Sequence, residues 1–464
     1  METERAKAPR VLLAGTGSGC GKTTAACAVL QALVNRGLRA GSFKCGPDYI
    51  DPMFHRRIIG ANSGNLDLFF FGGNMTRQLL ARGAAGRDVS VIEGVMGYYD
   101  GLGLTSAQAS AWDLARETET PAVLVVGAKG ASLSLLAVIE GFLHFRPDSG
   151  IRGVLFNQCS PSLYPALAEA VRQRFAGQVE PLGYLPPMPD CALESRHLGL
   201  VTAGEVADLK DKLHCLAGQA EKTVDLDGLL ALAEGAPELV WKPVAFPRFP
   251  EPVRIAVAED KAFCFRYEDS LSVLEEMGAE LTPFSPLADR ALPEGIHGLY
   301  LCGGYPELYA GELSENRAML ASVRGALERG VPCIAECGGF MYLTESIDGM
   351  PMAGFLPGTC RDMGRLTRFG YVTLTAKGDN LLCRRGESIR GHEFHRWDTP
   401  DPGGNFTAAK ANGRAWDCVY ATERLYAGFP HFHFCANPAF AENFYQACLK
   451  EKHRNDSKTA ANGD

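Results

Sequence analysis

Short apolar runs alternate with longer stretches of helical period through the first half of the chain. Residues 11–14, 40–44, 88–93, 122–127, 153–157 and 182–186 are apolar or β-branched and too short for helices, so they read as buried strands. Residues 25–34 and 133–145 carry the clearest helical period between them. Strand and helix in alternation predict a parallel sheet covered on both faces. Pro237, Pro243, Pro247 and Pro250 then interrupt any period. The alternation restarts with strands at 253–258, 298–302 and 331–335 and helices at 270–277 and 312–329. The expected architecture is α/β in two domains, 8–235 and 253–447, joined by a linker over 236–252. A tail over 448–464, polar from Glu451 onward, is expected to be disordered.

Composition narrows the function classes. A chain of 464 residues is too long for one ordinary core. A net charge of -8 gives no basic footprint, so neither nucleic acid nor an anionic membrane is indicated as a partner. The first ten residues do not resemble a signal peptide, and no apolar run is long enough to span a bilayer. Fifteen cysteines are scattered with no Cys-x-x-Cys pair, which suits a reducing cytoplasm with most thiols acting as small buried hydrophobes.

Two stretches carry chemistry. Gly15-Thr16-Gly17-Ser18-Gly19-Cys20-Gly21-Lys22-Thr23-Thr24 lies between a predicted strand and a predicted helix. Glycines there let backbone N–H groups approach an anion, and the helix N-terminus adds partial positive charge. Gly17, Gly19, Gly21 and Thr24 would line the phosphates, Lys22 would neutralise them and Thr23 would ligate Mg²⁺. Thr16 stands where the strict pattern has glycine, so the match is to a variant loop; a glycine-rich turn with an incidental lysine is the bland alternative. Asp48 and Asp51 follow a second strand, at the end of a sheet where ligands bind, although both could simply form the turn between Pro47 and Pro52. Glu93 ends a third strand and is a candidate Mg²⁺ ligand beside Asp48. Tyr49, Asp51, Asp100, Arg196 and His197 are candidate substrate contacts, and Asn157 at a strand end could read a base edge.

The second stretch is Ala335-Glu336-Cys337-Gly338-Gly339, running from strand into helix. A cysteine on such a turn is exposed to substrate, with following N–H groups free for an oxyanion, and the helix N-terminus is expected to favour its thiolate. Gly338 and the pair Gly303-Gly304 are the candidate oxyanion donors. A base is needed, and Pro430-His431-Phe432-His433-Phe434 and Gly391-His392-Glu393-Phe394-His395 offer histidines. Two-residue spacing puts His431 and His433 on one face of a strand, whereas His392 and His395 would lie on opposite faces. Metal binding by these histidines is the competing reading.

Taken together, these motifs, with Lys44-Cys45-Gly46-Pro47-Asp48-Tyr49-Ile50-Asp51-Pro52, Glu93-Gly94-Val95-Met96-Gly97 and Cys302-Gly303-Gly304-Tyr305-Pro306-Glu307, resemble the cobyrinic acid a,c-diamide synthase family. Hydrogenobyrinic and nickel-sirohydrochlorin a,c-diamide synthases are near relatives, and the resemblance runs from about residue 11 to about 445. It implies a P-loop domain like dethiobiotin synthetase followed by a class I glutamine amidotransferase domain of flavodoxin-like fold. It also implies ATP, L-glutamine and a tetrapyrrole carboxylate as substrates, Mg²⁺, phosphorylation of the a and c acetates, ammonia from glutamine and a homodimer; because an acyl phosphate must be shielded from water, an internal ammonia route is expected. By resemblance, Lys22 and Thr23 contact phosphate and Mg²⁺, Asp48 and Glu93 hold the metal, Asn157 reads adenine, Cys337 is the nucleophile and His431 the base. The variant loop is also what that family carries. Class I glutaminases follow the base with proline and glutamate; Phe432 and His433 stand here, so no third triad member is assigned. The same chemistry on nickel-sirohydrochlorin, hydrogenobyrinic acid or sirohaem, and a non-catalytic nucleotide-binding regulator, are the alternatives.

Overall fold

Seven strands of the first half pair in parallel, in the spatial order Asn62–Leu66, Ala40–Cys45, Val89–Glu93, Arg10–Gly15, Ala122–Gly127, Ile151–Asn157 and Glu180–Leu185. The computed structural model describes residues 2–191, 195–196, 199–200 and 209–462, and the chain divides into the units Met1–Val244 and Ala245–Asp464. Arg10–Gly15 is central and buried along its length, with Val89–Glu93 on one side and Ala122–Gly127 on the other. The strand order reverses at this point, which opens a crevice at the carboxyl ends of the strands. The glycine-rich loop sits at that crevice. The helix after it, Lys22–Asn35, is apolar on nearly every side and correspondingly buried, with the helix Leu209–Thr223 packed on it. Asn62–Leu66, with neither β-branched nor aromatic residues, is an edge strand that periodicity does not reveal.

The boundary differs from the sequence expectation. Leu239–Trp241 is a strand, paired antiparallel with Glu4–Ala6, so much of the expected linker belongs to the first unit. Backbone groups of Lys242 and Val244 exchange hydrogen bonds with the side chains of Asn74 and Gln78. Arg10 is fully buried and donates to the carbonyls of Ala8, Thr118 and Pro237 and to Thr120 Oγ1. A buried guanidinium satisfied in this way ties strand, helix end and closing segment together.

The second unit has a six-stranded sheet in the order Ala279–Phe284, Val253–Ala258, Gly298–Leu301, Cys333–Glu336, Leu425–Gly428, Tyr420–Ala421, parallel except at the last pair. A five-stranded antiparallel sheet ends in Arg368–Ala376, Ser388–His395 and His431–Phe432. The tail expected to be disordered is instead the end of one helix, Pro438–Asn462. Its inner side carries Phe444, Tyr445 and Cys448, all buried. Buried Glu451 takes Arg424 and Arg454, and Lys452 and His453 reach Pro252 O and Glu251. Few apolar residues are enough when the charged ones are paired on the protein.

Candidate active sites

In the first unit, glycines shape the cradle, and one of them is fixed by its surroundings. Gly21, with φ 94°, caps the helix, and a Cβ there would stand 1.8 Å from Asn157 Nδ2. Gly17 and Gly19 face open space. Lys22 Nζ donates to Gly17 O at 2.9 Å, and Asn157 Nδ2 donates to Cys20 O at 3.0 Å. Asn157, expected to read adenine, therefore also braces the loop from the neighbouring strand. Thr24 is half-buried in the helix's first turn. Burial lowers the Lys22 pKa and Lys44 adds to this, while Cys20, Glu93 and Asp100 oppose it.

Glu93 is the hub. Its Oε1 accepts from Thr23 Oγ1 at 2.6 Å and from Lys44 Nζ at 2.7 Å, while buried Oε2 has no hydrogen-bond partner. Oε2 lies 3.8 Å from His55 Nε2, so Oε1, beside Thr23, is the oxygen that fits a hard cation held between protein oxygens and phosphate. Among the described residues no set of three or more His, Cys, Asp or Glu could hold a metal, a number that Mg²⁺ shared with phosphate oxygens does not need. Asp48 behaves as the turn alternative would have it: Oδ1 accepts the N–H groups of Ile50 and Asp51, and burial followed by the Asp51 charge pushes its pKa up to about 7. Asp51 does not face an open crevice; it is buried in an ion pair with Lys44. Asp100 folds back on its own loop, Oδ2 accepting from Gly97 N–H at 2.7 Å. Tyr49 is buried beside the Asp48 turn. His197 lies outside the described residues, as does the side chain of Arg196 in the short strand Ser195–Arg196.

Lys44 went unassigned in the sequence, and its position is informative. Its side chain is 7% exposed between Asp51 and Glu93. Removing one partner of a buried charge cluster leaves the others uncompensated. Lys44→Met is therefore expected to destabilise the first unit by about 3–5 kcal/mol, read as a lower urea midpoint by circular dichroism. A loss under about 1 kcal/mol, the size of an exposed pair, would mean that these charges are solvated.

The second unit brings the other candidates together. Cys337 ends the strand Cys333–Glu336 with φ 48° and ψ -104°, a conformation costly for a non-glycine residue, and precedes the short helix Gly338–Leu343. The turn is pinned by Cys337 N–H donating to Gly428 O at 2.7 Å. A Cβ on Gly338 would stand 3.1 Å from Gly304 N, and one on Gly303 would stand 2.4 Å from His431 Cε1. The residue after Cys337 and the His431 ring thus both abut the Gly303–Gly304 strand. The Gly338 N–H at the helix start does pull the thiol pKa down, as expected, but it is outweighed. Burial pushes it well up, and Glu307, Glu336 and Glu393 push the same way.

His431 Nδ1 lies 3.1 Å from Glu336 Oε2, both groups buried. The His392 ring stacks on it at 5.1 Å and 20° between planes, with burial holding His392 neutral. His433 is engaged elsewhere, its Nδ1 accepting Cys435 N–H at 3.1 Å and so capping the following turn. His395 stacks on Phe429 at 4.0 Å and meets Trp397 O through Nδ1. The carboxylate beside the base was missed in the sequence, where Glu336 reads only as a neighbour of the nucleophile.

Comparison with known proteins matches both halves. Residues 11–201 match the CobQ/CobB/MinD/ParA nucleotide binding domain and residues 254–439 the CobB/CobQ-like glutamine amidotransferase domain. The cobyrinate a,c-diamide synthase of Clostridium acetobutylicum is 40% identical, covering 93% of this chain and 99% of its own. That of Salmonella typhimurium is 39% identical, over 95% and 98% respectively. That of Caldanaerobacter subterraneus is 38% identical, over 94% and 98%. Among the described residues no helix is long and apolar enough to cross a membrane. With a phosphate cradle in one unit, a cysteine–histidine centre in the other, and full-length similarity in the same order, the chain belongs to the cobyrinate a,c-diamide synthase family.

Proposed function

We propose that this protein converts cobyrinic acid to its a,c-diamide in the cytoplasm, consuming ATP and glutamine at each of two carboxylates. The observation that supports this most directly is that one chain of this family carries both a glycine-rich loop with Lys22 and Thr23 and a strand-end Cys337 with His431 near the same glycine pair. A carboxylate is a poor electrophile until activated. In the first unit its oxygen attacks the γ-phosphorus of ATP, giving an acyl phosphate and ADP; positioning and charge neutralisation by Lys22 and the loop amides are what that transfer needs. Mg²⁺, when bound, would neutralise phosphate charge; Thr23 and Glu93 would hold it, with Asp48 as the further candidate.

In the second unit Cys337 Sγ bonds to the carboxamide carbon of glutamine while His431 takes the thiol proton. The oxyanion is received by N–H groups around Gly303, Gly304 and Gly338. The C–N bond then breaks, His431 returns the proton to the departing ammonia, and water releases glutamate from the thioester. Ammonia attacks the acyl phosphate, forming the amide and expelling phosphate.

The test is mass spectrometry of the full chain with Mg²⁺-ATP, glutamine and, in separate reactions, cobyrinic acid, hydrogenobyrinic acid, nickel-sirohydrochlorin and sirohaem. Each acid converted makes the product about one dalton lighter, the consequence of replacing OH by NH₂ through an acyl phosphate. Two conversions of cobyrinic acid are expected. Two conversions confined to another ring would reassign the substrate, and no conversion of any ring would overturn a,c-diamidation.

A further inference from the structure

The glutaminase class places its third triad residue two positions after the base, where this chain has His433, and that imidazole is committed to the Cys435 N–H. Another carboxylate fills the role in space. Glu336 closes the strand Cys333–Glu336, next to Leu425–Gly428 in the sheet. From there its Oε2 reaches His431 Nδ1 at 3.1 Å, and the Tyr300 hydroxyl and Phe432 N–H lie against the same carboxylate. The two ring nitrogens are thereby distinguished: Nδ1 faces Glu336, while Cε1 and Nε2 face the Gly303–Gly304 strand, 2.4 and 3.3 Å from where a Gly303 Cβ would stand. The backbone turns sharply at Cys337, immediately after Glu336.

We propose that Glu336, the residue immediately before the nucleophile, is the third triad member, a positioning residue for His431. It accepts the Nδ1 proton, which leaves Nε2 as the base, and its charge stabilises the imidazolium formed when the Cys337 proton is taken. No proton passes to Glu336 itself. The neutral His392 ring stacked on His431 fixes the ring plane without adding charge. The assignment rests on the glutaminase reading given above.

The experiment compares wild type, Cys337→Ser, Glu336→Gln and Glu336→Asp, all full-length, for glutamine hydrolysis and for amidation driven by an ammonium salt. Glu336→Gln keeps an acceptor oxygen and removes the charge. Its glutaminase kcat is expected to fall about 10²–10⁴-fold, the range seen for orienting carboxylates, with KM for glutamine within about twofold and ammonium-driven amidation retained. Alkylation of Cys337 by a glutamine-like diazoketone should slow in parallel, and Glu336→Asp should recover about tenfold or more of the lost kcat. A kcat within about threefold of wild type, a change in KM alone, or equal loss with glutamine and ammonium would each overturn the assignment. Should Glu336→Gln fail to fold, Glu336→Asp decides by the same kcat and KM criteria. Wild type that hydrolyses no more glutamine than Cys337→Ser would instead overturn the glutaminase reading itself.

Discussion

Cys337→Ser is expected to abolish glutamine-dependent amidation, with a loss of more than about 10³-fold in kcat, while amidation from ammonium salts continues near the wild-type rate. Burial and three nearby carboxylates push the thiol toward its neutral form, so in the proposed mechanism nucleophilicity depends on handing the proton to His431 during attack. A hydroxyl binds its proton far more tightly and gains nothing from the positive φ that presents it. The first unit keeps every residue of its phosphate site in this variant. Separate assays of glutamate release and of amide formation distinguish the two halves. Substantial glutamine-driven amidation by the serine variant would show that the nitrogen is released elsewhere.

Lys22→Ala should give the opposite signature. Amidation falls about 10²–10³-fold or more with either nitrogen source, the cost of removing a preorganised charge from developing phosphoryl charge, while glutamine is still hydrolysed. Lys22 is the proposed phosphate-loop cation, and its Nζ donates to Gly17 O at 2.9 Å along the cradle. Neighbouring Lys44 cannot replace it, being committed to Asp51 and Glu93. Single-turnover measurement of ADP formed with cobyrinic acid present checks this directly. Unchanged ADP formation would remove Lys22 from the activation step.

What the sequence disclosed depended on how local each signal was. The cradle from Gly15 to Thr24 is a local strand–turn–helix pattern, and its place at the reversal of strand order follows from the alternation of elements. Cys337 was legible for the same reason. Its partner Glu336 was adjacent in sequence, yet its role is set by a contact with a histidine 95 positions away, and a carboxylate at a strand end does not announce which strand will face it. Asp51 and Lys44 illustrate the same limit: one acid looked ready for substrate because the cation that neutralises it lies on another element. Three-residue Leu239–Trp241 was too short to show a period among prolines. The end of the closing helix was misjudged because the apolar stripe of Phe444, Tyr445 and Cys448 stops there and the hold beyond it is electrostatic, through Glu451 with Arg424 and Arg454.

The pairing of Glu4–Ala6 with Leu239–Trp241, reinforced by Arg10 donating to Pro237 O across 227 positions, also sets a schedule. On a ribosome adding about 5–20 residues per second, the opening strand emerges roughly 10–50 s before its partner. Throughout that interval its edge and the Arg10 guanidinium await their last acceptors. The first unit therefore closes only as the second begins to emerge, and a nascent chain halted just before residue 239 would be the form most exposed to chaperones and to edge-to-edge association.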